Sequence, residues 1–164
     1  MNKTSQITSS DYKIRVEPLS GIVQAFNGEA LIASSSNAKV MYETRLSPTV
    51  YFPKSDLVVD VLDMSDLNTF CPFKGTASYK NIRVEGKQID NAFWFYQKAL
   101  PEAKSVEDHV AFMPTTATRI DIGKNIFGKD HESNIAGPTI DWILREAWLF
   151  KTPQDLTKAI ANKL

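Results

Sequence analysis

The sequence predicts a mainly β, antiparallel domain with a C-terminal helical extension. Two turn-forming dipeptides lie between segments rich in β-branched and aromatic residues, and apolar residues beside one of them alternate with polar ones. The last quarter of the chain instead carries apolar residues at helical spacing. A chain of 164 residues is long enough to bury a substantial core in one such domain.

The two dipeptides are predicted to form tight hairpin turns. Asn27-Gly28 is a strong hairpin signal because both residues tolerate the positive φ that such a turn requires. Glu85-Gly86 marks a second turn, preceded by Ile82 and Val84 alternating with polar residues. The strands predicted beside these turns cover residues 21–26 and 29–33, and residues 78–84 and 88–96.

Three further segments have the composition of strands. They cover residues 50–52, 57–62 and 109–113. Alternation in the second would point Asp60 into a mostly apolar neighbourhood. Residues 14–122 are therefore predicted to form an antiparallel β domain of seven or eight strands.

The two ends of the chain differ from this domain. Residues 1–13 are polar and rich in Ser and Thr, which predicts a flexible tail. Residues 123–137 are polar and contain Gly, which predicts a linker, and residues 138–164 are predicted to form a helical hairpin. Its first helix would be apolar on more than one side and would cover the β domain or a second subunit, so a homo-oligomer through these helices is one expectation.

Composition limits the class of protein. Lys plus Arg and Asp plus Glu number 19 each, so no overall charge attracts nucleic acid or an anionic membrane. The single Cys71 excludes an internal disulfide and a multi-cysteine zinc site, and it suits a reducing compartment. No stretch is apolar enough for a leader or a membrane span. We therefore expect a soluble, cytoplasmic protein, with no metal site and no cofactor indicated.

A phosphate-binding loop is not favoured. Residues 123–129 match its spacing, but Asp130 stands where a magnesium-binding Ser or Thr is required. A carboxylate there would repel phosphate, so the linker interpretation is preferred.

The run 69–79 holds the main candidates for chemistry. It combines Cys71 and Lys74 with Pro and Gly, which is typical of a shaped loop leading into a strand. Cys71 could be a nucleophile, although a buried structural thiol is the preferred interpretation. Lys74 could extend to solvent, pair with a carboxylate such as Glu43 or Asp60, or bind an anionic ligand.

Other candidates lie on the predicted strands. His109 could act as a general base, although a histidine at the edge of the core is the simpler interpretation. Trp94 and Tyr96 share one strand face, and such aromatic residues usually belong to the core. Together with Tyr79 they could instead form the wall of a pocket.

These segments together resemble a known family, domain of unknown function 427 (DUF427), also labelled nucleotidyltransferase-like. The likeness covers residues 22–121, and no Gly-Ser followed by Asp-x-Asp supports the nucleotidyltransferase label. The resemblance implies a compact, β-tent-like domain of two sheets enclosing a polar-lined cleft, without an established reaction. It is carried by Glu43-Thr44-Arg45, residues 48–53, Asp56, Asp60, Cys71-Pro72-Phe73-Lys74-Gly75, Ala77-Ser78-Tyr79, Asn91-Ala92, Trp94, Tyr96, Pro101 and residues 109–112.

Two functions are compatible with these residues. The first is binding of a small anionic metabolite or nucleotide-like ligand in a polar cleft, with or without catalysis. The alternative is a non-enzymatic interaction or structural module that uses the C-terminal helices. For the first, the candidate catalytic residues are Glu43, Lys74 and His109, and the candidate ligand-binding residues are Arg45, Cys71, Lys74, Tyr79 and Trp94.

Overall fold

A computed structural model describes residues 12–43 and 48–122. These residues form ten strands and two short 3-10 helices, at Lys54–Asp56 and Pro101–Val106. The strands are β1 (Ile14–Pro18), β2 (Val23–Asn27), β3 (Ala30–Ser35), β4 (Lys39–Glu43), β5 (Thr49–Pro53), β6 (Asp60–Cys71), β7 (Gly75–Val84), β8 (Lys87–Tyr96), β9 (His109–Phe112) and β10 (Arg119–Asp121).

The strands form two sheets in which the paired strands are antiparallel. The larger sheet has the order β1-β4-β5-β9-β8-β7-β6, and the smaller has the order β10-β2-β3. This confirms the predicted mainly β, antiparallel, two-sheet fold. The predicted linker 123–137 and helical hairpin 138–164 lie outside the described residues. Within the described ranges, neither helix is long and apolar enough to cross a membrane.

Both predicted hairpins are confirmed. Strands β2 and β3 pair around the turn that contains Gly28, whose φ is +59°. Strands β7 and β8 pair around Glu85 and Gly86, with φ values of +49° and +79°. Positive φ at both Glu85 and Gly86 matches the right-handed twist of the flanking strands. In the first hairpin Gly28 has positive φ, whereas Asn27 is the last residue of β2 and pairs with Ala30.

The segment after residue 57 differs from its prediction. A strand was expected at residues 57–62, but β6 begins at Asp60 and continues for 12 residues to Cys71. The run 69–79 is therefore the end of one strand, a turn and the start of the next. Asp60 is exposed opposite Arg83, so the expectation that it faces apolar surroundings is wrong. Strand β6 lies at a sheet edge and is mostly exposed on both faces. Its sequence therefore lacks the regular alternation of apolar and polar residues that predicts a half-buried strand.

The main apolar core fills the space between the two sheets. Residues of β2 and β3 meet residues of β4, β5, β7, β8 and β9 there. Its aromatic centre is Phe112, which packs edge-on against Phe52 and Phe93 at ring-centroid distances of 5.7 and 6.0 Å. The resemblance implied a polar-lined cleft between the sheets, whereas the side chains of this cluster are almost entirely apolar.

A second core lies on the opposite face of the seven-stranded sheet. The 3-10 helix Pro101–Val106 covers it with Ala103 and Val106, and the smaller sheet contributes none of its residues. Three of its members are tyrosines, so this core contains hydroxyl groups that need hydrogen-bond partners. Its buried residues are Met41, Tyr51, Ala77, Tyr79, Tyr96, Ala99, Ala103, Val106 and Ala111.

We expect Gly75→Ala to destabilise the fold by about 2–3 kcal/mol. Gly75 has φ +111°, and a Cβ atom there would lie 3.0 Å from the backbone oxygen of Lys98. Gly28→Ala is the matched control, because Gly28 also has positive φ but open space around it, and it should cost only about 1 kcal/mol. Urea denaturation of both variants measures the difference. Equal losses of unfolding free energy in the two variants would show that the close approach of the Lys98 backbone oxygen to residue 75 does not contribute.

Candidate functional site

An ion pair between Lys74 and Glu43 lies in the second core. Glu43 is the last residue of β4, and Lys74 belongs to the turn that joins β6 to β7. The Lys74 Nζ atom lies 2.7 Å from Glu43 Oε1. The two residues are only 9% and 2% exposed, respectively. Of the partners considered from the sequence, the structure therefore selects Glu43 and not Asp60.

The turn that carries Lys74 is held by its backbone. The Lys74 amide donates to the Cys71 carbonyl at 3.3 Å, and the Leu100 amide donates to the Lys74 carbonyl at 2.9 Å. Gly75 follows with a φ that favours glycine and approaches the backbone of Lys98 closely. These contacts fix the backbone position of Lys74, and so they also fix where its side chain leaves the turn.

Tyr12 binds the other side of the Glu43 carboxylate. Its hydroxyl donates to Glu43 Oε2, so each carboxylate oxygen accepts a hydrogen bond. The Tyr12 ring also stacks on Phe73, with ring centroids 3.9 Å apart and an interplanar angle of 7°. Tyr12 falls in the predicted N-terminal tail 1–13, and here it closes the site next to β1.

The Lys74 ammonium also lies beside the aromatic ring of Tyr96. The Nζ atom lies 5.8 Å from the centroid of the Tyr96 ring, a favourable arrangement of a cation and an aromatic ring. Beyond it, the Trp94 indole nitrogen donates to the Tyr51 hydroxyl at 3.2 Å. The Tyr51 and Trp94 rings meet edge-on at 6.5 Å. Tyr12, Glu43, Lys74, Tyr51, Tyr96 and Trp94 are called the outer-face cluster below.

The Lys74 side chain keeps its proton. Burial alone would lower the pKa of Lys74, but the Glu43 carboxylate opposes burial by charge and by hydrogen bonding, and the net pKa is raised. Lys74 is therefore an ammonium at neutral pH. It can attract negative charge and donate hydrogen bonds, but it does not serve as a base.

The phenols of the cluster also stay protonated. Burial raises the pKa of Tyr51 and that of Tyr96, although the neighbouring Lys74 partly offsets the rise at Tyr96. Burial, together with the hydrogen bond to Glu43, raises the pKa of Tyr12. These hydroxyls therefore remain neutral at physiological pH and available as donors.

Three more residues form the border of the cluster. Thr69, which is exposed, is within hydrogen-bond distance of the Tyr79 hydroxyl at 2.9 Å. Cys71 is a free, half-buried thiol at the end of β6, and a charge on it would favour the ammonium form of Lys74. Thr69, Tyr79 and Cys71 therefore mark the side of the cluster that is nearest to solvent.

The structure brings together most of the predicted site residues. Glu43, Lys74 and Trp94 belong to the cluster, and Cys71 and Tyr79 lie at its border. Arg45 lies outside the described residues.

His109 does not join the others. It pairs with Pro53, and its pKa is lowered by burial and by the charge of Lys39. Lys39 and Glu43 are the two ends of β4, about 13 Å apart at the usual rise of an extended strand. Of the two predicted proton carriers, Glu43 or His109, Glu43 is the one that lies beside Lys74.

Sequence reasoning did not single out two members of the outer-face cluster, Tyr12 and Tyr51. Tyr12 lies in a polar segment with no periodicity, and Tyr51 lies in a short strand that reads as core. Alternation along β8 predicted that Tyr96 shares a face with Trp94, with a pocket wall as the alternative to a core position, but Tyr96 was not among the predicted site residues. Phe73, which stacks on Tyr12, was not among them either.

The comparisons with known proteins establish the family but not a reaction. Residues 15–124 match the model described as "Domain of unknown function (DUF427)". The chain belongs to this family, as its motifs suggested. No curated protein matches the chain. In the described part of the chain, no group of three or more His, Cys, Asp or Glu residues could hold a metal ion.

We expect each half of the ion pair to depend on the other. Glu43→Gln or Lys74→Met alone leaves one buried charge without its partner, which should cost about 3–5 kcal/mol of unfolding free energy. The double variant should be clearly more stable than the sum of the two losses predicts, because neither charge remains. Urea denaturation of the four proteins measures this coupling. Strict additivity would mean that the two groups do not interact.

Stability should also fall at alkaline pH. A phenol whose pKa is raised on folding favours the folded state below its ordinary value of 10.0, and that contribution is lost as the pH rises through the folded-state pKa. The unfolding free energy should therefore decrease above pH 10, by up to about 1.4 kcal/mol per pH unit for each such group. Tyr51→Phe should make this decrease shallower. Identical slopes from pH 9 to 11 in the variant and the parent would contradict the burial of this phenol.

Proposed function

We propose that the protein binds a small anionic ligand, such as a carboxylate or a phosphate monoester, at the outer-face cluster. One observation carries this proposal: in the described residues, a protonated lysine and the Tyr12 phenol both donate to one buried carboxylate, and the phenols of Tyr51 and Tyr96 lie beside that lysine. Hydrogen-bond donors are thus in excess over charged acceptors. An oxyanion would satisfy the donors that Glu43 leaves unused.

These donors are suited to recognising negative charge, and not to the bidentate hydrogen bonding that an Arg guanidinium offers. An ammonium is a compact charge with three N–H donors, and Glu43 takes one of the donors of Lys74. Lys74 also makes a side-chain hydrogen bond to the Tyr96 hydroxyl, which leaves the third N–H of the ammonium and the phenolic O–H groups as the donors that an added anion would meet. Such an arrangement recognises negative charge in an apolar frame, where it is only weakly screened by solvent.

The border residues support an approach from the side of β6 and β7. Trp94 and Cys71 are half-buried and Thr69 is exposed, whereas Lys74 is nearly enclosed. The apolar body of Trp94, which is half-buried, offers contact area to the remainder of the ligand, including the ring of a nucleotide-like one, and the buried Tyr79 supports the same wall from behind.

If the bound ligand is also transformed, two of the proposed catalytic residues have suitable properties. Lys74, as a cation, would stabilise negative charge that develops on the ligand. Glu43, as the carboxylate of the cluster, would be the proton acceptor. Binding is the primary function proposed, because it requires only the donors that are in place.

The proposal predicts that Trp94→Phe weakens binding of an anion and that Lys74→Met abolishes it. Isothermal titration with inorganic phosphate, citrate and adenosine monophosphate would identify which of these probes the parent protein binds. Trp94→Phe keeps an aromatic ring but removes the indole donor, so it tests the site with little risk to the fold. Lys80→Met is the matched control, because Lys80 alternates with Tyr79 along β7 and faces Phe95 instead.

The expected result is an affinity at least about tenfold weaker in Trp94→Phe, and lost in Lys74→Met, with Lys80→Met unchanged. Equal binding in the parent, Trp94→Phe and Lys80→Met would place any anion elsewhere. Absence of binding of all three probes to the parent would refute the proposed ligand class.

A further inference from the structure

Strand β6 presents an unpaired edge. It is the terminal strand of the seven-stranded sheet and pairs only with β7 in the described residues. At 12 residues it is also the longest strand. Its backbone amides and carbonyls on the outer side therefore have no partner strand there.

An apolar stripe accompanies this edge. Val61, Met64 and Phe70 lie opposite Ile82, Lys80 and Thr76 of β7, which alternate along that strand and project from one face of the sheet. Ile82 belongs to the core between the sheets, so the stripe continues the face that bears this core. The stripe is defined by Val61, Met64 and Phe70, which are between 42% and 73% exposed.

Strand β6 is also acidic. It carries Asp60, Asp63 and Asp66 and contains no Lys, Arg or His. Carboxylates on an edge strand discourage pairing with a second copy of the same edge, because like charges would be brought together. The three large exposed apolar side chains of the stripe nevertheless call for a cover, since such patches are usually buried against something.

We propose that the stripe is the docking surface for the chain's own C-terminal segment, residues 123–164. The segment follows Ile122 directly and supplies the apolar residues Trp142, Trp148, Leu149 and Phe150. Its last part, residues 151–164, carries three Lys and one Asp, which complements the charge of β6. Its covalent link to the domain raises its effective concentration at β6 above that of a separate partner.

Hydrogen exchange of the full-length chain tests this docking. Mass spectrometry would follow peptides from β6 at two protein concentrations, in the parent and in the double variant Trp148→Ser/Phe150→Ser. We expect exchange in β6 to be about tenfold faster in the variant, with peptides of the β7–β8 hairpin unchanged as evidence of an intact fold. Leu100→Ser is the control, because Leu100 is exposed outside the stripe.

A reciprocal variant completes the test. Phe70→Ser should speed exchange in peptides from residues 138–164, because the proposed contact is lost from the other side. Equal exchange of β6 in the parent and the double variant would overturn the proposal. Protection of β6 that rises with protein concentration would also overturn it, because it would identify a second copy as the cover.

Discussion

The ion pair between Lys74 and Glu43 joins two parts of the chain that are 31 residues apart in sequence. It connects the end of β4, near one edge of the large sheet, to the turn between β6 and β7 at the other edge. Tyr12 approaches the same carboxylate from the N-terminal side. The relative positions of Lys74, Glu43 and Tyr12 therefore depend on one charge-assisted hydrogen bond, from Lys74 to Glu43, that forms away from water.

Stability alone is a weak reason for such an arrangement. Desolvation of two charges offsets much of their attraction, and apolar residues of similar volume are often as stable at such positions. In this chain the pair is surrounded by the hydroxyls of Tyr12, Tyr51 and Tyr96, so the second core contains several donors where apolar side chains would pack more simply. A mostly buried polar network of this kind, with perturbed pKa values, is typical of positions selected for recognition or chemistry.

Much of the fold follows from local sequence signals, and the site follows from them only in part. Asn27-Gly28 and Glu85-Gly86 predict both hairpins because each pair contains a glycine, and Gly28 and Gly86 both adopt the positive φ that glycine favours. Strands β1 and β4 were not predicted, since their composition is mixed and only pairing across the sheet specifies them. Lys74 could be recognised from its Pro-Gly setting, but its partner is fixed by long-range pairing that periodicity does not encode. Tyr12 gave no sequence signal for the same reason.

Nitrogen-15 NMR of the lysine side chains tests the central interaction most directly. If the Lys74 ammonium is buried against Glu43, its N–H signal should persist at neutral pH, where exposed lysines lose theirs to fast exchange with water. Its pKa should lie above the ordinary value of 10.5, and Glu43→Gln should lower it. A Lys74 signal that exchanges and titrates like those of exposed lysines, and does not respond to Glu43→Gln, would contradict the account.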